Sequence, residues 1–201
     1  MNKHVNEHFF DKESKVMTYL WGMSLAIYSP ERNGPRNTWT SSNENLLSIV
    51  KETLKSNAEI GRPSDLNSRN LQFRNQYLHD KLIERGCVYD KSERKFPDGV
   101  KGRYPDHLDR GFFDAHVTCV YTMGKYPLLQ IYFNTAFLQG LHNQLVADAG
   151  VSDTKKVDKS PLVYYGEDVQ KIHNFIYRDW EFIKRHGLYL PSKKERFEIN
   201  K

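Results

Sequence analysis

Three carboxylates and an imidazole crowd one short stretch of the chain: Asp106, Asp109, Asp114 and His116. Neighbouring carboxylates are what a Mg²⁺ ion needs, since it takes hard oxygen ligands. A bound Mg²⁺ can in turn polarise a substrate oxygen or activate a water. The spacing here works against that chemistry. The stretch reads as a helix, and Asp114 lies two residues before His116, so their side chains point about 200° apart. Asp106 and Asp109 fall before or at the start of this helix, where capping is the ordinary role of an acid. His116 offers a nitrogen that suits zinc or nickel better than magnesium. Glu31 follows Pro30 in a turn, too far along the chain to join the others.

The elements that would position these groups are two short apolar helices, each with one glycine and each followed by a strand-like run. The first runs Tyr19-Leu20-Trp21-Gly22-Met23-Ser24-Leu25-Ala26-Ile27-Tyr28, the second Leu108-Asp109-Arg110-Gly111-Phe112-Phe113-Asp114-Ala115-His116-Val117. A glycine inside a helix costs up to about 1 kcal/mol against alanine. Close approach of a second backbone would offset that cost. Gly22 with Ala26, and Gly111 with Ala115, set small residues four apart on one helical face. The two helices are therefore expected to pack against each other through these faces.

The order of elements after each helix is the same. In the first half, Asn37 to Ser42 reads as a strand, Asn43 suits a helix N-cap, and Leu46, Leu47, Ile49, Val50 and Leu54 recur at helical spacing. Leu71-Gln72-Phe73-Arg74 alternates as a half-buried strand, and Tyr77, Leu78, Leu82 and Ile83 form a helix that Gly86 closes. In the second half, Val117 to Thr122 is a strand, Met123 to Pro127 a hairpin loop and Leu129 to Phe133 the return strand. A helix with Phe137, Leu138, Leu141, Leu145 and Val146 follows, then a polar strand around Thr154 to Asp158 and another over Leu162 to Tyr165. One last helix carries Val169, Ile172, Phe175, Ile176 and Trp180. Each half thus reads α-β-β-α-β-β-α, an α+β arrangement with 9–88 and 105–197 as repeats and 89–104 as linker.

Both glycine-bearing helices resemble the LAGLIDADG motif of homing endonucleases, and the resemblance extends over nearly the whole chain. The lead-in from Phe9 and the close Leu190-Pro191-Ser192-Lys193-Lys194 are also similar to segments of phage and mobile-intron members. The resemblance implies a monomer of two pseudo-symmetric repeats whose antiparallel, four-stranded sheets form a saddle over duplex DNA. In that family each motif helix ends in an acid that binds divalent metal. The matching positions here are Ile27 and His116, neither of them a carboxylate. The expectation is a catalytically inactive scaffold with no metal and no cofactor. Mg²⁺ would matter only if an atypical site around the fallback Asp114 left a nuclease or nickase.

Alternation shows which strand side chains would face the duplex. Gln72 and Arg74 lie opposite the apolar set of their strand, as do Gln130 and Tyr132. Thr38, Thr40, Thr118 and Thr122 are further polar candidates. Gln and Arg can read base edges bidentately, while Thr and Tyr suit phosphate or mixed contacts. Loop cations add Arg32, Arg36, Arg62, Arg69, Lys125, Lys155, Lys156 and Lys159, placed to flank a duplex and to make binding weaken with salt.

The bulk properties agree with this picture. The 201 residues carry a net charge of +5, with 12 Tyr and 11 Phe supplying large rings to a core. Two cysteines, Cys87 and Cys119, are too few for a disulfide framework and lack metal-ligand spacing. No apolar run approaches the roughly 20 residues of a membrane span, and the first ten residues do not read as a signal peptide. The expected setting is the cytoplasm or nucleoid of a prokaryote or phage-infected host, with double-stranded DNA as partner and a role in transcriptional or mobile-element control. An intron RNA or a regulatory protein as partner stays open at this level.

Overall fold

The computed structural model describes residues 4–61, 67–97, 103–122, 126–153 and 157–198. The first half follows the expected order: α1 (Lys15–Ile27), β1 (Tyr28–Pro30), β2 (Arg36–Ser41), α2 (Glu44–Thr53), β3 (Ile60–Gly61), β4 (Arg69–Arg74) and α3 (Gln76–Glu84). The second half runs α4 (Pro105–His116), β5 (Thr118–Thr122), β6 (Tyr126–Ile131), α5 (Thr135–Gln144), β7 (Leu162–Tyr165), α6 (Glu167–Ile176), α7 (Trp180–Arg185) and α8 (Pro191–Glu198). Asparagine side chains start three of these helices. Asn43, Asn75 and Asn134 accept from the backbone N–H of Asn45, Leu78 and Phe137 at 2.8–3.0 Å, satisfying donors that a helix start leaves unpaired. Gly86, past the end of α3, takes the left-handed conformation (φ +83°) that its closing role requires.

The strands form two antiparallel sheets, ordered β1-β2-β4-β3 and β5-β6-β7. The second sheet therefore has three strands among the described residues, one fewer than expected. Of the strand anticipated around Thr154 to Asp158, residues 154–156 lie outside the described set, and Val157 and Asp158 are not in a strand. Of the loop expected at Met123 to Pro127, residues 123–125 lie outside the described set, and Tyr126 and Pro127 belong to β6.

The single last helix expected through Trp180 is broken. It ends at Ile176 and resumes at Trp180. The break turns Arg178 and Asp179 back onto the first turns of the central helices: Arg178 pairs with Asp106 at 2.8 Å, and Lys15 with Asp179. The segment read as a linker is also anchored. Arg94 is 1% exposed and Phe96 6%, the latter edge-on to Phe137 with ring centroids 5.3 Å apart.

At the centre α1 lies against α4, and the approach depends on the two glycines. A Cβ on Gly22 would stand 2.0 Å from the Leu108 carbonyl oxygen, and one on Gly111 2.0 Å from that of Tyr19. No side chain fits such a gap. Ala26 is buried and Ala115 half-buried on the same helices. Each sheet packs its apolar side on this pair. In the first half Tyr28, Trp39 and Phe73 stack in series, with centroids 4.8 and 5.5 Å apart, and the Trp39 indole N–H donates to Ser24 Oγ at 3.0 Å. In the second half Leu129, Ile131 and Tyr164 are fully buried, with Phe112, Phe133 and Phe137 in mutual ring contact.

Candidate nucleic-acid interface

The outer side of the first sheet is polar. Register pairs Thr38 with Gln72, Thr40 with Asn70 and Arg36 with Arg74, on the side opposite Trp39, Leu71 and Phe73. The Gln72 amide donates to Thr38 Oγ1 at 3.1 Å, which fixes the orientation of both groups. Arg36 and Arg74 converge on one acid, Glu31, at 3.3 and 3.9 Å. Asn70 belongs to this surface too, although the expected strand began only at Leu71. Guanidinium, amide and hydroxyl groups in a row on a sheet are the chemistry that reads base edges and phosphates.

Other expected contacts fall elsewhere. Arg69 shares the register side of Leu71 and Phe73, not of Gln72, and pairs with Glu44 of α2 at 3.1 Å, so it lies on the helix side of its sheet. Extending the alternation back from Leu71 assigns that face to Arg69 and the outer one to Asn70. Arg32 is exposed in the β1–β2 loop, its guanidinium 4.7 Å from the Tyr89 ring centroid. Lys159 is exposed. Arg62, Lys125, Lys155 and Lys156 lie outside the described residues. Thr118 and Thr122 occupy register positions opposite Gln130 and Tyr126 on β5 and β6. Gln130 is half-buried, while Tyr132 falls just past the end of β6, with its hydroxyl 3.4 Å from Gln130 Oε1.

The two motif helices end at matching places, α1 at Ile27 and α4 at His116. Ile27 is 7% exposed and brings only carbon. His116 turns its Nε2 to the Tyr132 carbonyl, so that nitrogen carries the proton. Burial lowers the imidazole pKa, disfavouring the charged ring. Asp114 is fully buried and accepts from the Tyr19 hydroxyl at 2.8 Å. Loss of hydration pushes its pKa up to about 7, against the lowering effect of the Tyr19 hydrogen bond and of Arg110. Asp109 is also buried, with a pKa raised well above the usual carboxylate range.

Cations occupy both helix ends. The Lys91 ammonium donates to the Ala26 carbonyl at 2.8 Å, and that of Lys193 to the Val117 carbonyl. Arg94 donates to the carbonyls of Leu25, Tyr28 and Val88 at 2.6–3.0 Å. A positive side chain is favourable at a helix C-terminus, where the backbone dipole is negative and carbonyls lack partners. These three residues had no visible role in the sequence, because nothing in their spacing ties a linker or a basic tail to a helix end. Among the described residues, no group of three or more His, Cys, Asp or Glu could hold a metal ion. The donors at the helix ends do not fit Mg²⁺: they are a hydrocarbon, a protonated ring nitrogen and carbonyls already bound by cations.

The fold is that of the LAGLIDADG homing endonucleases. Similar solved structures include the homing endonuclease I-WcaI bound to its DNA recognition sequence, 12% identical over 92% of this chain and 86% of that one, TM-score 0.61. The meganuclease I-SmaMI bound to uncleaveable DNA is 10% identical over 92% and 89%, TM-score 0.60. The LAGLIDADG meganuclease I-AabMI bound to uncleaved DNA is 13% identical over 90% and 87%, TM-score 0.56. No protein-family model and no curated protein matches the sequence. The likeness is one of fold.

Proposed function

We propose that this chain binds double-stranded DNA at a specific site without cutting it and acts as a transcriptional or mobile-element regulator. The observation that carries the reading is the combination of a polar outer sheet face with helix ends that offer no carboxylate. Arg36, Thr38, Thr40, Asn70, Gln72 and Arg74 share the outer face of one sheet, while Ile27 and His116 stand at the helix ends. Solved structures of this fold are bound to DNA, and the net charge of +5 suits a polyanion. Without cleavage, occupancy of the site is itself the activity, since a bound protein can block or recruit at a promoter.

The test is selection of bound duplexes from a random pool with the purified chain. Enrichment of one long motif, lost when Gln72 and Arg74 are replaced by alanine, is the expected result. A pool that stays random would sink the reading and redirect attention to RNA or a protein partner.

A further inference from the structure

The turn between β1 and β2, residues 31–35, is fastened to the start of α3 at two places one helical turn apart. The Asn75 N–H donates to the Pro35 carbonyl at 3.0 Å, and His79 Nε2 lies 3.3 Å from the Glu31 carbonyl. The same turn carries the Glu31 carboxylate over to Arg36 and Arg74. Gly34 leaves room for that pose, because a Cβ there would stand 2.3 Å from Glu31 Oε2. His79 therefore holds the backbone of the residue whose side chain covers the two guanidiniums.

Both ring nitrogens of His79 face acceptors. Nδ1 is 3.0 Å from the Asp80 carboxylate, and Nε2 faces the Glu31 carbonyl. Neither partner can donate, so both bonds exist only while the ring carries two protons. With one proton the ring must choose. A hydrogen bond to a carboxylate is roughly twice as strong as one between neutral groups, and the Asp80 contact is also the shorter. The His79 bond holds Asp80 below the usual carboxylate range, and Gln76 donates to the same oxygen at 2.7 Å. The remaining proton stays on Nδ1, and Nε2 then turns a lone pair toward the Glu31 carbonyl. The other charged groups around α3 are engaged elsewhere. Beside it, in and just after the 3-10 turn Glu7–Phe10, Glu7 accepts from Asn75 and Asp11 from Tyr77, both at 2.8 Å. Lys81 pairs with Glu84 at 2.9 Å, and Arg36 of β2 and Arg74 of β4 face Glu31.

Resting on the DNA-binding reading above, we propose that His79 is a proton-operated latch on Glu31. With two protons on the ring the turn is held, and the carboxylate occupies the arginine pair as an anion from DNA would. With one proton the turn is released, and Arg36 and Arg74 are open to a phosphate or a guanine. Binding of DNA to the released turn expels a proton from His79, so this contribution to affinity grows as pH rises. Its sign is opposite to that of histidines elsewhere on a basic surface, which add positive charge toward acid.

The test compares affinities for the selected duplex at fixed salt between about pH 5.5 and about pH 8. Asp80→Asn, at an exposed position, replaces the competing carboxylate by an amide that can donate to Nδ1. The neutral ring then keeps its proton on Nε2, and the latch stays shut at every pH. The ratio of native to Asp80→Asn affinity should rise about threefold across the range. His79→Ala removes the latch, so the ratio of its affinity to the native one should fall by the same factor. Opposite trends from two neighbouring residues are not what a loss of packing gives. A native to Asp80→Asn ratio that does not change with pH, or that falls, overturns the inference while leaving site-specific binding intact. Failure to enrich any duplex removes the DNA-binding reading itself, and the latch is then read in the free protein. The Glu31 N–H donates to the Arg36 carbonyl at 3.0 Å. Its hydrogen exchange should be faster in the native chain than in Asp80→Asn at about pH 8 and equal in the two at about pH 5.5. Equal exchange at both pH values overturns the latch.

Discussion

Glu31 holds both guanidiniums of the Arg36–Arg74 pair, at 3.3 and 3.9 Å. A phosphate or guanine approaching them must displace that carboxylate. Ion pairs this exposed contribute about 0.2–1 kcal/mol each, so Glu31→Gln should tighten DNA binding roughly three- to tenfold, measured by fluorescence anisotropy at fixed salt. Weaker binding in the variant would mean that Glu31 orients the arginines instead of competing for them. Asp114 makes a different prediction. Its folded pKa, about 7, is above the ordinary carboxylate value of 3.8, so the folded state binds the proton more tightly than the unfolded one. Its effect is therefore least destabilising below pH 4, and stability is lost as pH rises from there through 7. Asn cannot ionise but can still accept from Tyr19. Asp114→Asn should gain about 2–3 kcal/mol relative to the native chain between pH 5 and pH 8 in urea unfolding. A parallel pH profile for the two chains would show that Asp114 ionises freely in the fold.

The two motif helices are the elements on which everything else is hung. In an exposed helix Gly→Ala stabilises by about 1 kcal/mol. At Gly22 or Gly111 the added methyl meets a backbone carbonyl at 2.0 Å, and backbone cannot rotate aside as a side chain can. Either substitution should cost about 3 kcal/mol or more by chemical denaturation; a change within about 1 kcal/mol of zero would refute the close approach. This contact was legible in the sequence, because a glycine with an alanine four residues on, repeated with matching flanks, is an uncommon cost with one obvious return. The strands were legible where apolar and polar residues alternate, as in Leu71 to Arg74. What period 2 does not reveal is where a strand begins. That is why Asn70 does not stand out in the sequence, and why Arg69, expected there as a loop cation, lies within β4. Lys91, Arg94 and Lys193 were illegible for another reason. Their roles are set by tertiary contacts to carbonyls far along the chain, and a carbonyl leaves no mark on sequence.

At the scale of the molecule, a pseudo-symmetric frame carries asymmetric chemistry. The helix pair and the first strand pairings match between halves, yet one sheet offers arginine and amide groups and the other leucine, valine and tyrosine. Phosphate contacts from the first half and from loop cations should make log K fall linearly with log salt, and each arginine or lysine removed from a phosphate contact should lower the slope by about 1. A salt-independent affinity would exclude a duplex lying along these cations. The helix ends define the central claim. Ile27, the proton-bearing His116 Nε2 and the cations Lys91, Arg94 and Lys193 stand at these ends, and none of them is a carboxylate. The most direct test is to saturate the selected, end-labelled duplex with protein in Mg²⁺ or Mn²⁺ and resolve both strands on a denaturing gel. Both strands should remain full length while the complex persists. A break at one fixed position in either strand, abolished by chelator, would contradict the account and require a metal held by residues other than those at the two helix ends.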